Sequence, residues 1–346
     1  MSEATGRSAF LRRGQSSGVL VAVVALLALC PFFVSDFFLS AILTRAMWLG
    51  LIALSLTFLA GYGGMVSLAQ VGLFGVAGFT YANLVMADGG LATALNPWVA
   101  AAIAIAVAMA VGLFFGAIAA RSEGIYFLMI TLALGVIVFF FWAQVTQLSG
   151  FGGVNRIDRP DIVSTPRTDP DNIFWITLGT ALVLYLFAKY VVRTPFGYTL
   201  QGIRDDATRM RALGYNVELH RILAFGLAAA VAAIAGILFV WWSTRIDPGS
   251  VGIRAILNVL IVAVIGGLAR LEGAWIGALA FVLLDNYSRD LDFVGPQFNT
   301  LIGLVFLLIV LLSPGGLLGI WEQVRERGRR ALLGARPRAA ARRPAP

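Results

Sequence analysis

Uninterrupted apolar runs of about 20 residues, the length an α-helix needs to cross a hydrocarbon core, recur along this chain and decide its class. Strands of a membrane barrel would instead alternate apolar and polar residues in segments of about 10. The runs read as spans over 17–35, 39–60, 66–87, 97–119, 124–147, 172–192, 221–242, 253–270, 273–288 and 298–313. Composition agrees: 59% of the 346 residues are hydrophobic and 13% are charged, where an ordinary soluble domain carries about 25% charge. A soluble fold would need more polar surface, and a disordered chain would need low hydrophobicity. The expected fold class is all-α, a polytopic integral membrane helical bundle of about 10 transmembrane helices.

The net charge of +8 comes from 26 basic residues, and Lys189 is the only lysine. These residues flank apolar runs, which points to anionic lipid headgroups and to topology, and away from nucleic acid. With the amino terminus inside, they gather before the first span, at Arg121, from Lys189 to Arg221, at Arg270 and after Trp321. Both termini are then cytoplasmic. The first run follows Arg7, Arg12 and Arg13, and Leu27-Ala28-Leu29-Cys30 imitates a lipoprotein cleavage site. Leu29 is too large to precede a processed cysteine, so the run reads as an uncleaved span. The chain divides into an amino-terminal tail (1–16), a transmembrane domain (17–316) with an outer loop at 149–171 and an inner loop at 193–220, and a basic tail (317–346).

Several chemistries fall away. Cys30 is the only cysteine and His220 the only histidine, so a disulfide framework, a CxxC pair and a two-histidine metal site are excluded. No metal site and no catalytic residue are expected. A Walker A loop requires G-x-x-x-x-G-K-[ST], whereas the sole lysine follows Phe187-Ala188. The chain is therefore not expected to hydrolyse ATP or to be an enzyme.

Two glycine clusters mark the spans. Residues 61–78 hold six glycines in eighteen positions. Ala69, Gly72, Gly75 and Gly78 would form a smooth face for close helix packing. Gly61 to Gly64 would interrupt the helix and expose backbone groups to a water-filled path beside Ser67 and Gln70. The two readings are compatible. A second cluster, from Gly266-Gly267 to Gly277, joins the eighth and ninth spans and loosely echoes the first. Two five-span halves would stand in inverted topology with discontinuous helices. Charge is nearly absent from the spans, where Ser67, Gln70, Thr131 and Asn258 supply polar groups. Neutral linings of this kind suit a small zwitterionic or neutral solute.

In the inner loop, Leu200, Ile203, Ala207, Met210 and Leu213 fall at helical spacing among arginines and aspartates. The spacing predicts one amphipathic helix ending at Gly214, a suitable C-cap.

Four ordered blocks then resemble a known family. They are Gly61-Tyr62-Gly63-Gly64-Met65-Val66-Ser67-Leu68-Ala69-Gln70, the run from Gly124-Ile125-Tyr126 through Thr131 to Ala133, Thr194-Pro195-Phe196-Gly197 leading to Arg204-Asp205-Asp206, and Val264-Ile265-Gly266-Gly267. Over Trp48 to Gly316 the chain is similar to LivM-type permease subunits of branched-chain amino acid ABC importers. The resemblance implies a bacterial inner-membrane permease paired with a second, LivH-type permease. Two ABC ATPase subunits would bind the ATP and Mg, with no cofactor in this chain. A periplasmic or lipid-anchored binding protein would deliver the solute, a branched-chain or related amino acid, and membrane lipid would surround the assembly. By the same resemblance, Ile203 to Gly214 occupies the place of the EAA-like ATPase-docking loop. There Ala207, Arg209 and Met210 stand where the family has Glu, Ala and Ala.

The candidate solute path is thus Gly63, Gly64, Ser67, Gln70, Gly72, Gly75, Tyr126, Thr131, Asn258, Gly266 and Gly267. The candidate ATPase-coupling set is Gly197, Arg204, Asp205, Asp206, Ala207, Ala212, Leu213 and Gly214. The alternative is a secondary carrier or channel-like facilitator for a small neutral or zwitterionic solute such as urea or an amide.

Overall fold

The computed structural model describes residues 34–86, 93–149, 151–163 and 170–287, with further single positions at 27, 29–31, 303–304, 307, 316–317 and 319. Most of the first and last expected spans, and nearly all of the basic tail, lie outside the described residues. Within them the chain is helical: α1 (Arg45–Gly63), entered through a π-helical segment at Phe38–Thr44, then α2 (Gln70–Val85), α3 (Pro97–Ala119) and α4 (Gly124–Gln144). After the two-residue strand β1 (Val154–Asn155) come α5 (Pro170–Val192), α6 (Pro195–Asp205), α7 (Ala207–Ala212) and α8 (Val217–Ser243). Strand β2 (Arg245–Ile246), α9 (Ile253–Gly266) and α10 (Gly273–Tyr287) complete the order.

Five of these helices are long and apolar enough to cross a membrane, and α2, α9 and α10 are shorter apolar helices. The chain is a polytopic helical membrane protein. Its centre is α1, with 94% of its apolar window buried against 33% for α3 and 28% for α4. A helix apolar all round, with no polar face, belongs in such a position. The outward faces of α3, α4 and α5 carry Phe114, Ile137, Phe140 and Val183, all exposed, as a hydrocarbon surrounding requires.

Small residues set the packing distances, as expected where helices associate within lipid. A Cβ on Gly236 of α8 would run into the Phe74 carbonyl of α2, and one on Gly112 of α3 into the Ala229 methyl of α8. On α9 and α10, Gly266 and Gly273 approach so closely that a Cβ at Gly266 would strike the Gly273 carbonyl. At one end of the bundle, β1 and β2 pair antiparallel, Val154 opposite Ile246. There Tyr81 donates to the Asp158 carbonyl at 3.0 Å, and Arg45 meets the buried carboxylate of Asp285 at 2.6 Å. The other end carries α6 and α7.

Two sequence expectations need correction. The third span is not one helix over 66–87: residues 64–69 are non-helical and the helix covers 70–85. The inner amphipathic segment is not one helix either. At Asp206 the backbone is extended (φ −159, ψ 94), and the Asp206 carboxylate accepts the Arg209 amide at 2.9 Å, capping a second, separate helix. A short aspartate competes with the helical backbone for its own amides, so it ends one helix and starts the next.

Candidate translocation and coupling site

The helix break between α1 and α2 organises the candidate site. Gly64 adopts φ +67, a left-handed conformation that ends α1 as glycine permits. The Met65 amide returns to the Leu59 carbonyl at 3.1 Å and closes the terminus. From Met65 to Ala69 the chain is largely buried although it is not helical, so its backbone groups need partners from elsewhere. Thr131 of α4 supplies one: its hydroxyl accepts the Leu68 amide at 3.1 Å and donates to the Leu128 carbonyl at 3.0 Å. Ser67 supplies another, accepting the Ala69 amide at 3.3 Å and the Gln70 side-chain amide at 3.4 Å. The Oε1 of Gln70 is fully buried and makes no hydrogen bond among the described residues. Thr131 lies about 10 Å along α4 from its start at Gly124, which sets the break inside the bundle near the α6–α7 end.

The structure brings some expected path residues together and separates others. Ser67, Gln70 and Thr131 share this buried junction. Gly72 lies against the backbone of Gly135 on α4, where a Cβ would meet the Gly135 Cα at 3.3 Å. Gly75 faces Val251, toward the other end. The two glycine clusters meet: a Cβ at Gly61 would come within 2.5 Å of the Leu268 carbonyl. Gly63 and Gly64, at the end of α1, pack against Leu200 and Arg204 of α6, and Gly266 and Gly267 form the end of α9. Asn258 is half-buried on α9, eight residues before Gly266, about 12 Å away along the helix. Tyr126 is 72% exposed, on the outer face of α4 and not at the junction. An apolar groove lined by Leu54, Phe58, Phe187 and Leu227 lies elsewhere, between α1, α5 and α8.

The coupling candidates divide in the same way. Thr194 caps α6 by accepting the Gly197 amide at 3.4 Å, and Gly197 sits against the carbonyls of Val191 and Val192. Leu200 and Ile203 are buried. Beyond Asp206 the chain emerges: α7 buries no residue, Ala207 is partly covered, and Ala212, Leu213 and Gly214 are exposed. Arg204 points back into the bundle, donating to the Gly61 carbonyl at 2.5 Å and to Asp205 at 2.8 Å.

Three features escaped the sequence reading. Gly135 lets α4 approach the break, and its signal was a lone glycine in an apolar helix. Arg221 of α8, 7% exposed, donates to the Ala120 carbonyl at 3.2 Å and to Glu123 at 2.9 Å. Lys189 donates to the Tyr185 hydroxyl at 3.1 Å, which donates to Glu272 at 2.6 Å. Burial pushes the Glu272 carboxyl up, but the Tyr185 hydroxyl, its own backbone amide, Lys189 and Arg270 together hold it below its ordinary value. His220 packs face to face on Phe196 with ring centroids 5.7 Å apart.

A family profile described as "Branched-chain amino acid transport system / permease component" matches residues 38–312, a stretch that holds every junction above. The chain belongs to this permease family. The permease is 27% identical over 325 residues to the high-affinity branched-chain amino acid transport system permease protein LivM of Escherichia coli, covering 86% of this chain and 74% of the relative. It is 28% identical over 186 residues to the probable branched-chain amino acid transport permease protein LivM of Methanocaldococcus jannaschii, 50% of this chain and 54% of the relative. It is also 28% identical over 171 residues to the permease protein LivH of Escherichia coli, 49% of this chain and 54% of the relative. In this permease the broken helix, its Thr131 tie and the exposed α7 all fall within the matched region.

Proposed function

We propose that the chain is the membrane-spanning permease subunit of an ABC importer that carries branched-chain or related amino acids across a bacterial inner membrane. The α6–α7 end is cytoplasmic, and ATP and Mg are bound by separate ATPase subunits docking there. A second, LivH-type permease completes the path, and a binding protein delivers solute at the β1–β2 end. The chain itself is not an enzyme. The observation that carries this reading is the division of labour in the inner loop: α7 buries nothing, while α6 packs Leu200 against Gly63 at the helix break. A surface built to receive a partner is thereby joined to the buried non-helical segment at 64–69.

The break supplies the path. Ser67, Gln70 and Thr131 offer neutral hydrogen-bonding groups at a half-helix terminus, the arrangement suited to a zwitterion that must enter and leave. Likeness to the named permeases supports the solute class.

Co-expression with two ABC ATPases and a LivH-type permease from the same organism tests the assembly. The four subunits are expected to co-purify in detergent with magnesium-dependent ATPase activity that rises when loaded binding protein is added. A carrier or facilitator would purify alone and move solute in liposomes without ATP, and that outcome would replace the proposal.

A further inference from the structure

Arg204 was expected on the docking face, yet its side chain is turned the other way. Its stem lies over Gly64, where a Cβ would meet the Arg204 Cγ at 2.8 Å. Its Nη1 donates to the Gly61 carbonyl at 2.5 Å. Asp205 steadies the guanidinium by accepting from both Nε and Nη2, at 2.9 and 2.8 Å. In a continuous helix the Gly61 carbonyl would accept the Met65 amide, but that amide returns to Leu59. The carbonyl is one of the orphans at a helix end, and a guanidinium there also meets the negative end of the helix dipole. One side chain of α6 thus completes the terminus of the helix at the break.

Arg221 makes the matching contact at the other end of the same inner segment, on the Ala120 carbonyl that follows α3. The two clamps differ. The Arg221 side chain is 8% exposed and that of Arg204 40%. Arg221 holds an uninterrupted helix locked to α8 through Gly112 and Gly116, whereas Arg204 holds a helix followed by residues 64–69, which are not helical.

We propose that Arg204 is a positioning residue that carries movement of α6 and α7 into the helix break at Gly61–Ala69, with Arg221 as the fixed end of the lever. This rests on the importer reading above. It separates receiving the partner, the work of exposed α7, from transmitting its motion.

The test uses the whole complex reconstituted with its ATPases, second permease and binding protein, with Arg204→Gln and Arg204→Lys compared with the unmodified chain. Arg204→Gln is expected to co-purify with the ATPases normally. Its ratio of solute moved to ATP hydrolysed should fall about tenfold or more, the factor set by losing one hydrogen bond to a charged donor. Arg204→Lys, which keeps a charged donor, should recover part of the ratio and decides the matter if the glutamine variant does not accumulate. In a Cys30→Ser background, labelling of Ser67→Cys by an aqueous thiol reagent should depend on nucleotide when Arg204 is present and lose that dependence in Arg204→Gln. Loss of ATPase co-purification would make Arg204 a docking contact, and normal coupling in Arg204→Gln would show it transmits nothing; either overturns the proposal. An unmodified complex without ATP-driven uptake overturns the importer reading and the proposal with it.

Discussion

The hydroxyl of Thr131 accepts the amide of Leu68 at 3.1 Å across sixty-three residues of sequence, so a side chain of α4 replaces the helical partner that Leu68 lacks. Thr131→Val removes the acceptor and leaves a buried amide unpaired, a loss of about 1–3 kcal/mol. Thermal unfolding in detergent should show a lower midpoint for Thr131→Val and one near the original for Thr131→Ser. Equal midpoints for the valine and unmodified chains would mean that the hydroxyl does not hold the break.

Gly236 brings the backbones of α8 and α2 into close approach, with the Phe74 carbonyl where a Cβ would stand. Backbone cannot yield as a flexible side chain can, so Gly236→Ala is expected to cost about 1–3 kcal/mol through overpacking. Gly179, which has open space beside it, should accept alanine with no loss. Comparing the two unfolding midpoints checks the assignment.

Glu272 gives a pH dependence. Its folded carboxyl is held below its ordinary value, because Tyr185 and Lys189 outweigh burial, so its contribution is complete above the ordinary glutamate range and disappears as pH falls through the lower folded value. The side chain is 48% exposed, which limits the contribution to less than about 1 kcal/mol. At pH 7 Glu272→Gln should be slightly less stable than the unmodified chain, with the difference shrinking as the carboxylate takes up its proton on acidification. A difference that grows on acidification would contradict the arrangement.

Asp206 caps α7 through the Arg209 amide. Asp206→Ala removes a cap worth about 1 kcal/mol from a six-residue helix that buries nothing, enough to loosen α7 without disturbing the spans. Solute-stimulated ATPase activity should fall while the unfolding midpoint of the bundle stays unchanged, and Asp206→Asn should restore most of the activity. A lowered midpoint would place Asp206 in the fold and not in coupling.

Much of this was legible in the sequence, because a hydrocarbon surrounding leaves little choice of secondary structure. The span at 97–119 coincides with its helix, Pro97 at the first turn and Asn96 accepting the Trp98 amide as cap. The glycine row of α2 proved to be a packing face, and Gly64 did interrupt the helix. Periodicity misled at Asp206, where Leu200 through Leu213 keep helical spacing although a side-chain cap breaks the backbone. Spacing records which residues could share a face, not whether the chain between them stays helical. Pairings across the fold, such as Arg204 with Gly61 or Arg221 with Ala120, carried no local signal because each joins a side chain to a backbone carbonyl, and carbonyls are the same in every residue. Asn258 stands half-buried on α9 and Tyr126 faces outward from α4, because nearness in sequence does not put residues on one helix face.

Under the proposed function, transport through this chain is driven by ATP hydrolysed on partner subunits. Uptake of labelled leucine, isoleucine or valine is measured in proteoliposomes holding both permeases and both ATPases, with binding protein on one side and ATP on the other. Accumulation above the external concentration should require ATP, both ATPases and the binding protein together. Accumulation by this chain alone, driven by an ion gradient and indifferent to ATP, would contradict the account.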